Sequence, residues 1–503
     1  MPRRKPHAAC VDVAVIGGGP AGSTAGRLLA EWGHSVLILA RAPTGRPSRV
    51  ESLPPSSLRL MSRLGVREDV DAAGFMRTSG NTAWWGATEG RVELFPGAAA
   101  WGYQALRSRL DAVLLAAAAR GGARVQAGAS VRRVDLDGPA PALVEYETTQ
   151  GEPARTRARL VLDCSGRAGA LARRLGLRRP EPGRRTLAVS ALWQREGGFP
   201  VADDSHTLVE TYESGWVWSV PLANGRRQVT VMIDPELTGD AAPRLETLYH
   251  AELGRTVQLR RLLSGAARSG AVWASDASLY SACQFAGPRF LLVGDAGSFV
   301  DPLSSFGVKK ALASAWLSAV VAHTCLRRPE RTELALAFFS SRERRLYASC
   351  LEESSRYARE AALRHPTAFW ESRARPAVPA RVGSLDEAED ERADGAEVAA
   401  AFQALRAGPT GRLRPANGVR IEARPGIEDR EVLLRDAVVG HEGGAVRFVR
   451  GVHAPTLLRL LDRHPHVPDL FEAYTRQHPP VGLPDFLRAL SFLVARRLLS
   501  NEG

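Results

Sequence analysis

Residues Val11 to Leu39 read VDVAVIGGGPAGSTAGRLLAEWGHSVLIL: a short hydrophobic strand, a glycine-rich turn, a helix-forming stretch and a second strand. This pattern predicts a βαβ unit with Gly17, Gly19 and Gly22 in a G-x-G-x-x-G arrangement and Pro20 and Ala21 inside the turn. The first glycine permits the tight turn, the second lets backbone approach a pyrophosphate, and the third lets helix and strand pack closely. The helix N-terminus then favours phosphate charge. The segment therefore predicts a dinucleotide site. The acid expected at the end of the second strand, where it would grip a ribose, is absent; Ala40 and Arg41 stand there. An arginine at this place accommodates a nucleotide phosphate, so the loop alone leaves the dinucleotide open.

A later segment narrows the choice. Phe290 to Ala315 reads FLLVGDAGSFVDPLSSFGVKKALASA: a hydrophobic strand, Gly294-Asp295, a turn containing Pro302, and a new helix from Gly307 and Val308. Asp295, just past a strand end, is placed to accept hydrogen bonds from a ribityl hydroxyl. The start of the helix presents backbone N–H groups to the pyrimidine edge of a flavin, where negative charge gathers on reduction. The two segments together predict FAD.

Around these motifs the expected fold class is α/β, with a Rossmann-like FAD-binding domain of three layers, of the glutathione-reductase type. An inserted antiparallel β-sheet would form a substrate domain, and a small helical domain would follow at the C-terminus. The expected boundaries are residues 10–183 for the first part of the FAD domain and 184–280 for the substrate sheet. Residues 281–375 return to the FAD layer, 376–396 form a linker, and 397–503 make the small C-terminal domain. His206 to Tyr212, Trp216 to Leu222 and Gln228 to Ile233 read as short strands, with Asn224-Gly225 as a hairpin turn. The linker is set by Pro376, Pro379, Gly383 and an acidic run from Asp386 to Asp394.

Composition sets outer bounds. The chain of 503 residues is long enough for two or three cores. Its net charge of +13 is carried almost wholly by arginine, the only lysines being Lys5, Lys309 and Lys310. The arginines are spread through every segment, so a nucleic-acid or membrane partner is not indicated. Five scattered cysteines without a C-x-x-C pair suggest neither disulfides nor zinc, and fit a reducing cytoplasm. The spacing of His453, His464, His466 and His478 suits no metal cluster. No stretch approaches the ~18 apolar residues that span a bilayer.

Three further stretches carry a resemblance. They are RVESLPPSSLRLMSRLGV (Arg49 to Val66), LDCSGRAGALARRLG (Leu162 to Gly176) and LRSRLDAVLLAAA, which begins at Leu106. With the two FAD motifs they resemble the FAD-dependent monooxygenases of the hydroxylase type, especially the branch containing the flavin-dependent halogenases. The resemblance covers about residues 10 to 350. It implies that Arg41, Arg49, Ser52 and Arg107 join the glycine loop, Asp295, Pro302, Gly307 and Val308 in holding FAD. It also implies NAD(P)H or a partner flavin reductase as electron source, and O₂ as co-substrate.

GWVWSVPL, Gly215 to Leu222, is similar to the W-x-W-x-I-P signature of the halogenases. Trp216 and Trp218 share one strand face; packing of a sheet core is the alternative reading. Halogenation on this scaffold calls for a lysine after the flavin-side loop, which Arg49 to Val66 resembles, yet Arg77 to Arg91, RTSGNTAWWGATEGR, contains none. The expectation is therefore hydroxylation rather than halogenation. ESLPP followed by GNTAWWG resembles the branch that hydroxylates a tryptophan of another protein during quinone-cofactor maturation. That resemblance implies oxygen transfer from a flavin hydroperoxide to an electron-rich aromatic ring of a small molecule, peptide or protein. Trp84, Trp85, Trp216 and Trp218 are the candidate pocket lining, with Glu51 and Lys309 as candidate acid–base groups. Residues 447 to 499 are similar to small winged-helix modules that hold leader peptides. A halogenase, an alkene or prenyl reductase, and a non-catalytic flavoprotein partner stand as alternatives.

Overall fold

The computed structural model describes residues 9–42, 49–97, 100–138, 141–238, 244–375, 396–407, 411–441, 444–478 and 480–502. The linker expected at 376–396 lies almost wholly outside them. The chain divides into two compact units, residues 1–379 and 380–503.

In the first unit the strand Ala9–Ile16 lies at the centre of a parallel sheet, flanked by Val36–Ala40 and Pro153–Asp163. Arg124–Ala127 and Phe290–Leu292 extend it, one on either side, also in parallel. Val13, Val15, Ile38 and Leu162 are buried, as befits strands covered on both faces. The helix Pro20–Glu31 begins on proline, which costs no hydrogen bond there, and packs against the helices Arg107–Arg120 and Gly307–Arg327. This is the expected Rossmann-like layer.

The second sheet has seven strands, in the order Ala267–Asp276, Leu187–Gln194, Arg226–Ile233, Gly215–Leu222, Thr207–Tyr212, Gly80–Trp84 and Arg91–Leu94. All neighbours are antiparallel except Thr207–Tyr212 and Gly80–Trp84, which run in parallel. The sheet thus draws strands from residues 80–94 as well as 187–276. Asn224 and Gly225 both take positive φ in a three-residue hairpin loop, Leu222 pairing with Arg226. Register places Trp216 beside Met232 and Trp218 beside Thr230, so one face carries Trp216, Trp218, Thr230 and Gln228. A small third sheet of Val50–Leu53, Gly102–Leu106 and Met76–Thr78 is tied to that face, where Val50 N–H donates to Gln228 Oε1 at 3.1 Å.

The second unit contains the helices Ala396–Ala407, Ala454–Leu461, Val467–Thr475 and Leu483–Ala495 around a core that includes Leu413, Leu457, Leu470, Phe486 and Leu490. It also contains a long hairpin, Arg420–Glu428 with Glu431–Val439, and a strand pair of Arg412–Pro415 with Leu499–Glu502. The expected helices of this unit are thus joined by strands. The hairpin turn Asp429-Arg430 takes positive φ without any glycine, so the sequence carries no ordinary turn signal for it.

Candidate active site

The glycine turn follows from lack of space. Gly17 has φ +110°, and a methyl group placed on it would lie 2.4 Å from the carbonyl oxygen of Cys164. One on Gly22 would lie 1.9 Å from the carbonyl oxygen of Gly17. No side chain caps the helix that begins after Gly19, which leaves its first N–H groups directed at the turn. Ala40 packs against this turn, and Arg41 follows it on the exposed strand end.

The second motif comes to the same place. A methyl on Gly294 would lie 3.5 Å from Ala21 Cβ, so Asp295 and the glycine turn adjoin, although 273 residues separate Ala21 from Gly294 in the chain. Asp295 lies in the short turn Gly294–Ala296 after the strand Phe290–Leu292. Pro302 opens a second short turn, and Gly307 starts the long helix without a side-chain cap while Val308 is buried.

Arg107 and Asp111 stand beside Gly19, 3.7 and 3.9 Å from a methyl group placed on it. Arg107 donates to Asp111 Oδ1 at 3.1 Å and to Glu51 Oε1 at 3.1 Å. Burial opposes the charge on Arg107, but the two carboxylates outweigh it and hold the group above its ordinary value. Burial raises Asp111 despite Arg107. Ser52 is buried on the strand Val50–Leu53, in register with Gln104. Arg49 is open to solvent yet walled by protein. Burial, then the like charge of Arg167, pull it down to about 10, and among the described residues its guanidinium has no hydrogen-bond or ion-pair partner. A turn that only glycine fits, uncapped helix ends and an arginine lacking a protein anion suit the diphosphate and ring of FAD.

Lys309 and Trp84 have surroundings different from those of their neighbours Lys310 and Trp85. Lys309 is half-buried with its ammonium 5.4 Å from the centre of the Phe306 ring. It is Lys310 that reaches Asp295, with Nζ 3.2 Å from Oδ1, because neighbours on a helix point about 100° apart. Trp84 lies on the opposite face of the substrate sheet from Trp85, since side chains alternate along a strand, and it packs with Val217, Val231 and Tyr249. Trp85, Trp216 and Trp218 do come together, with ring centres 6.2 Å apart for the first pair and 6.0 Å for the second. Their cluster includes Trp370 and Tyr357 from later helices and Phe299 and Leu303 from the Asp295 segment. The indole N–H groups of Trp85 and Trp370 donate to the carbonyls of Tyr357 and Tyr212; that of Trp218 has no partner among the described residues. Sequence reasoning overlooked Trp370, whose isolated place after residue 350 gave no signal.

Fold and site define a FAD-dependent flavoenzyme of the oxidoreductase type. A family described as "FAD binding domain" matches residues 10–320, and the chain belongs to it. It is 32% identical over 312 residues to the tryptophan 2-halogenase of Chondromyces crocatus, a match covering 61% of this chain and 60% of that protein. In three dimensions it is similar to CmlS, a flavin-dependent halogenase, with a TM-score of 0.79, 23% identity and coverage of 98% and 96%. It is also similar to QhpG, a peptidyl tryptophan dihydroxylase essential for tryptophylquinone cofactor biogenesis, with a TM-score of 0.70, 22% identity and coverage of 97% and 99%. These two likenesses concern the fold. Among the described residues no helix is long and apolar enough to cross a membrane.

Proposed function

We propose that this chain oxidatively modifies an electron-rich aromatic ring, and that halogenation is the leading reading. The observation that carries the proposal is the apolar cluster in which Trp85, Trp216 and Trp218 meet Phe299 and Leu303 of the FAD segment. A planar aromatic substrate matches such a wall, and the wall excludes water from the reacting atoms. Halogenation leads because the relatives found by sequence carry halogenase names, which reverses the preference drawn from Arg77 to Arg91. Hydroxylation is the second reading; the absence of lysine from that stretch and the shared fold of a tryptophan dihydroxylase favour it.

Bound FAD, reduced by NAD(P)H or by a partner reductase, supplies the activation of O₂. The chain supplies position and charge. Gly17, Gly19 and Gly22 would admit the diphosphate, Arg49 would balance its negative charge, Arg107 would stand beside it near Gly19, and Asp295 would accept from the ribityl chain. The uncapped N-terminus of the helix from Gly307 would stabilise negative charge on the ring. Glu51 and Lys309 are the groups proposed to move protons. The test incubates purified protein with FAD, a flavin reductase, NADH, ¹⁸O₂ and bromide or chloride, over indoles, phenols and tryptophan peptides. Mass spectrometry is expected to show halogen on the ring, whereas ¹⁸O on the ring would select the second reading. Oxygen uptake that ends only in hydrogen peroxide for every substrate would defeat both.

A further inference from the structure

Beneath Gly294-Asp295 lies a set of buried polar groups that cofactor contact does not require. Lys310 is 0% exposed, and its ammonium donates to Asp295 Oδ1 at 3.2 Å and to the carbonyl of Ser298. One turn later on the same helix, Ser314 Oγ accepts the N–H of Gly294 at 2.9 Å. Glu343, from the helix Thr332–Ala362, is buried and lies in the field of Lys310, with Ser314 beside it. Burial pushes its carboxyl group up, and Oε2 has no hydrogen-bond partner among the described residues. Residues four apart share a helix face, so Lys310 and Ser314 grip adjacent residues of one dipeptide, with Glu343 behind both.

A fully buried ammonium is costly unless it is paired, and a pair that only filled space would be no better than apolar side chains. Here the pair fixes Asp295, the carboxylate read above as a ribityl contact, in the manner of outer groups that orient a ligand-binding side chain. We propose that Lys310, Ser314 and Glu343 form a buried clamp, and that Lys310 is a positioning residue that sets FAD affinity through Asp295. The proposal rests on the reading of Asp295 as a cofactor contact.

The test titrates FAD into deflavinated protein and reads the dissociation constant by flavin fluorescence, with circular dichroism and thermal melts as folding controls. Lys310→Met alone would leave two acids without their cation, so the deciding variant is K310M/E343Q, which removes one charge of each sign. It is expected to fold and to bind FAD roughly ten- to a hundredfold more weakly, the range for losing a hydrogen bond to a charged group. In a D295N background the same two changes are expected to add no more than about twofold, because the clamp acts through that carboxylate. K310M/E343Q binding FAD as wild type does, or losing its full factor again on top of D295N, overturns the proposal. If D295N itself binds normally, the reading of Asp295 falls and the clamp with it, whereas D295N weakened beside a normal K310M/E343Q sinks the clamp alone. Should the double variant not fold, Ser314→Ala decides, since it removes only a hydroxyl: several-fold weaker binding supports the clamp, and unchanged binding overturns it.

Discussion

Gly22 lies in a helix where nearly any other residue would form a helix more readily, so its presence has to be explained by what stands opposite. That is the carbonyl oxygen of Gly17, 1.9 Å from where a Cβ would sit. Gly22→Ala is therefore expected to cost about 1–3 kcal/mol in a chemical melt through overpacking, and to lower FAD retention at least about tenfold, read from the flavin-to-protein absorbance ratio. Glu51 presents a milder case. It shares Arg107 with Asp111, so Glu51→Gln is expected to leave FAD bound and Arg107 in place, while slowing turnover if the carboxylate moves a proton. Unchanged turnover at every pH would remove Glu51 from the chemistry. At this scale the sequence was readable wherever backbone needs restrict residue choice, as at Gly17, Gly22 and Gly294-Asp295. What the sequence did not show is which of two adjoining lysines pairs with Asp295, because Lys309 and Lys310 differ only in the direction the helix gives them.

For the strands, alternation decides what a pair of neighbours does. Trp85 is buried in the aromatic cluster beside the FAD segment, while Trp84 faces the core formed with Val217 and Tyr249. Trp85→Ala is expected to cost about 3–5 kcal/mol and also to change product yield or the position of ring modification. Trp84→Ala is expected to lower stability alone; an altered product pattern for W84A with none for W85A would reverse the assignment of faces. In the second unit, His453 hydrogen-bonds Thr456 Oγ1 at 2.9 Å, and its own backbone N–H donates to the Tyr474 hydroxyl. Burial first, then Arg447 and His478, bring the imidazole from its ordinary 6.5 down to about 4. The unfolded chain therefore binds a proton between pH 6.5 and 4 that the folded unit refuses, and stability falls as pH drops through that window. Thermal melts at stepped pH are expected to show this fall, and His453→Gln is expected to flatten it. The hairpin Arg420–Val439 belongs to the less legible part of the fold, because its arginine-rich strands alternate weakly and its turn lacks glycine.

On the scale of the whole molecule, an almost complete replacement of lysine by arginine turns composition into a mechanistic probe. Three lysines serve the entire chain. A guanidinium stays protonated and is a poor nucleophile at neutral pH, so it cannot stand in for an amine that must give up or carry an electrophilic atom. Of the two lysines among the described residues, Lys310 is engaged by Asp295 and Ser298, while Lys309 is half-buried at the start of the helix that follows the FAD segment. If halogen transfer here requires an amine, Lys309 is the described lysine left to provide it. Lys309→Gln is then expected to abolish halogenated product while FAD retention and NADH-driven oxygen uptake stay within about twofold of wild type. The comparison is made by mass spectrometry and an oxygen electrode on one preparation. Full halogenation by K309Q would mean that this fold transfers halogen without that amine. Loss of FAD together with product would instead place Lys309 in the cofactor's support, beside Lys310, and return the weight to ring hydroxylation.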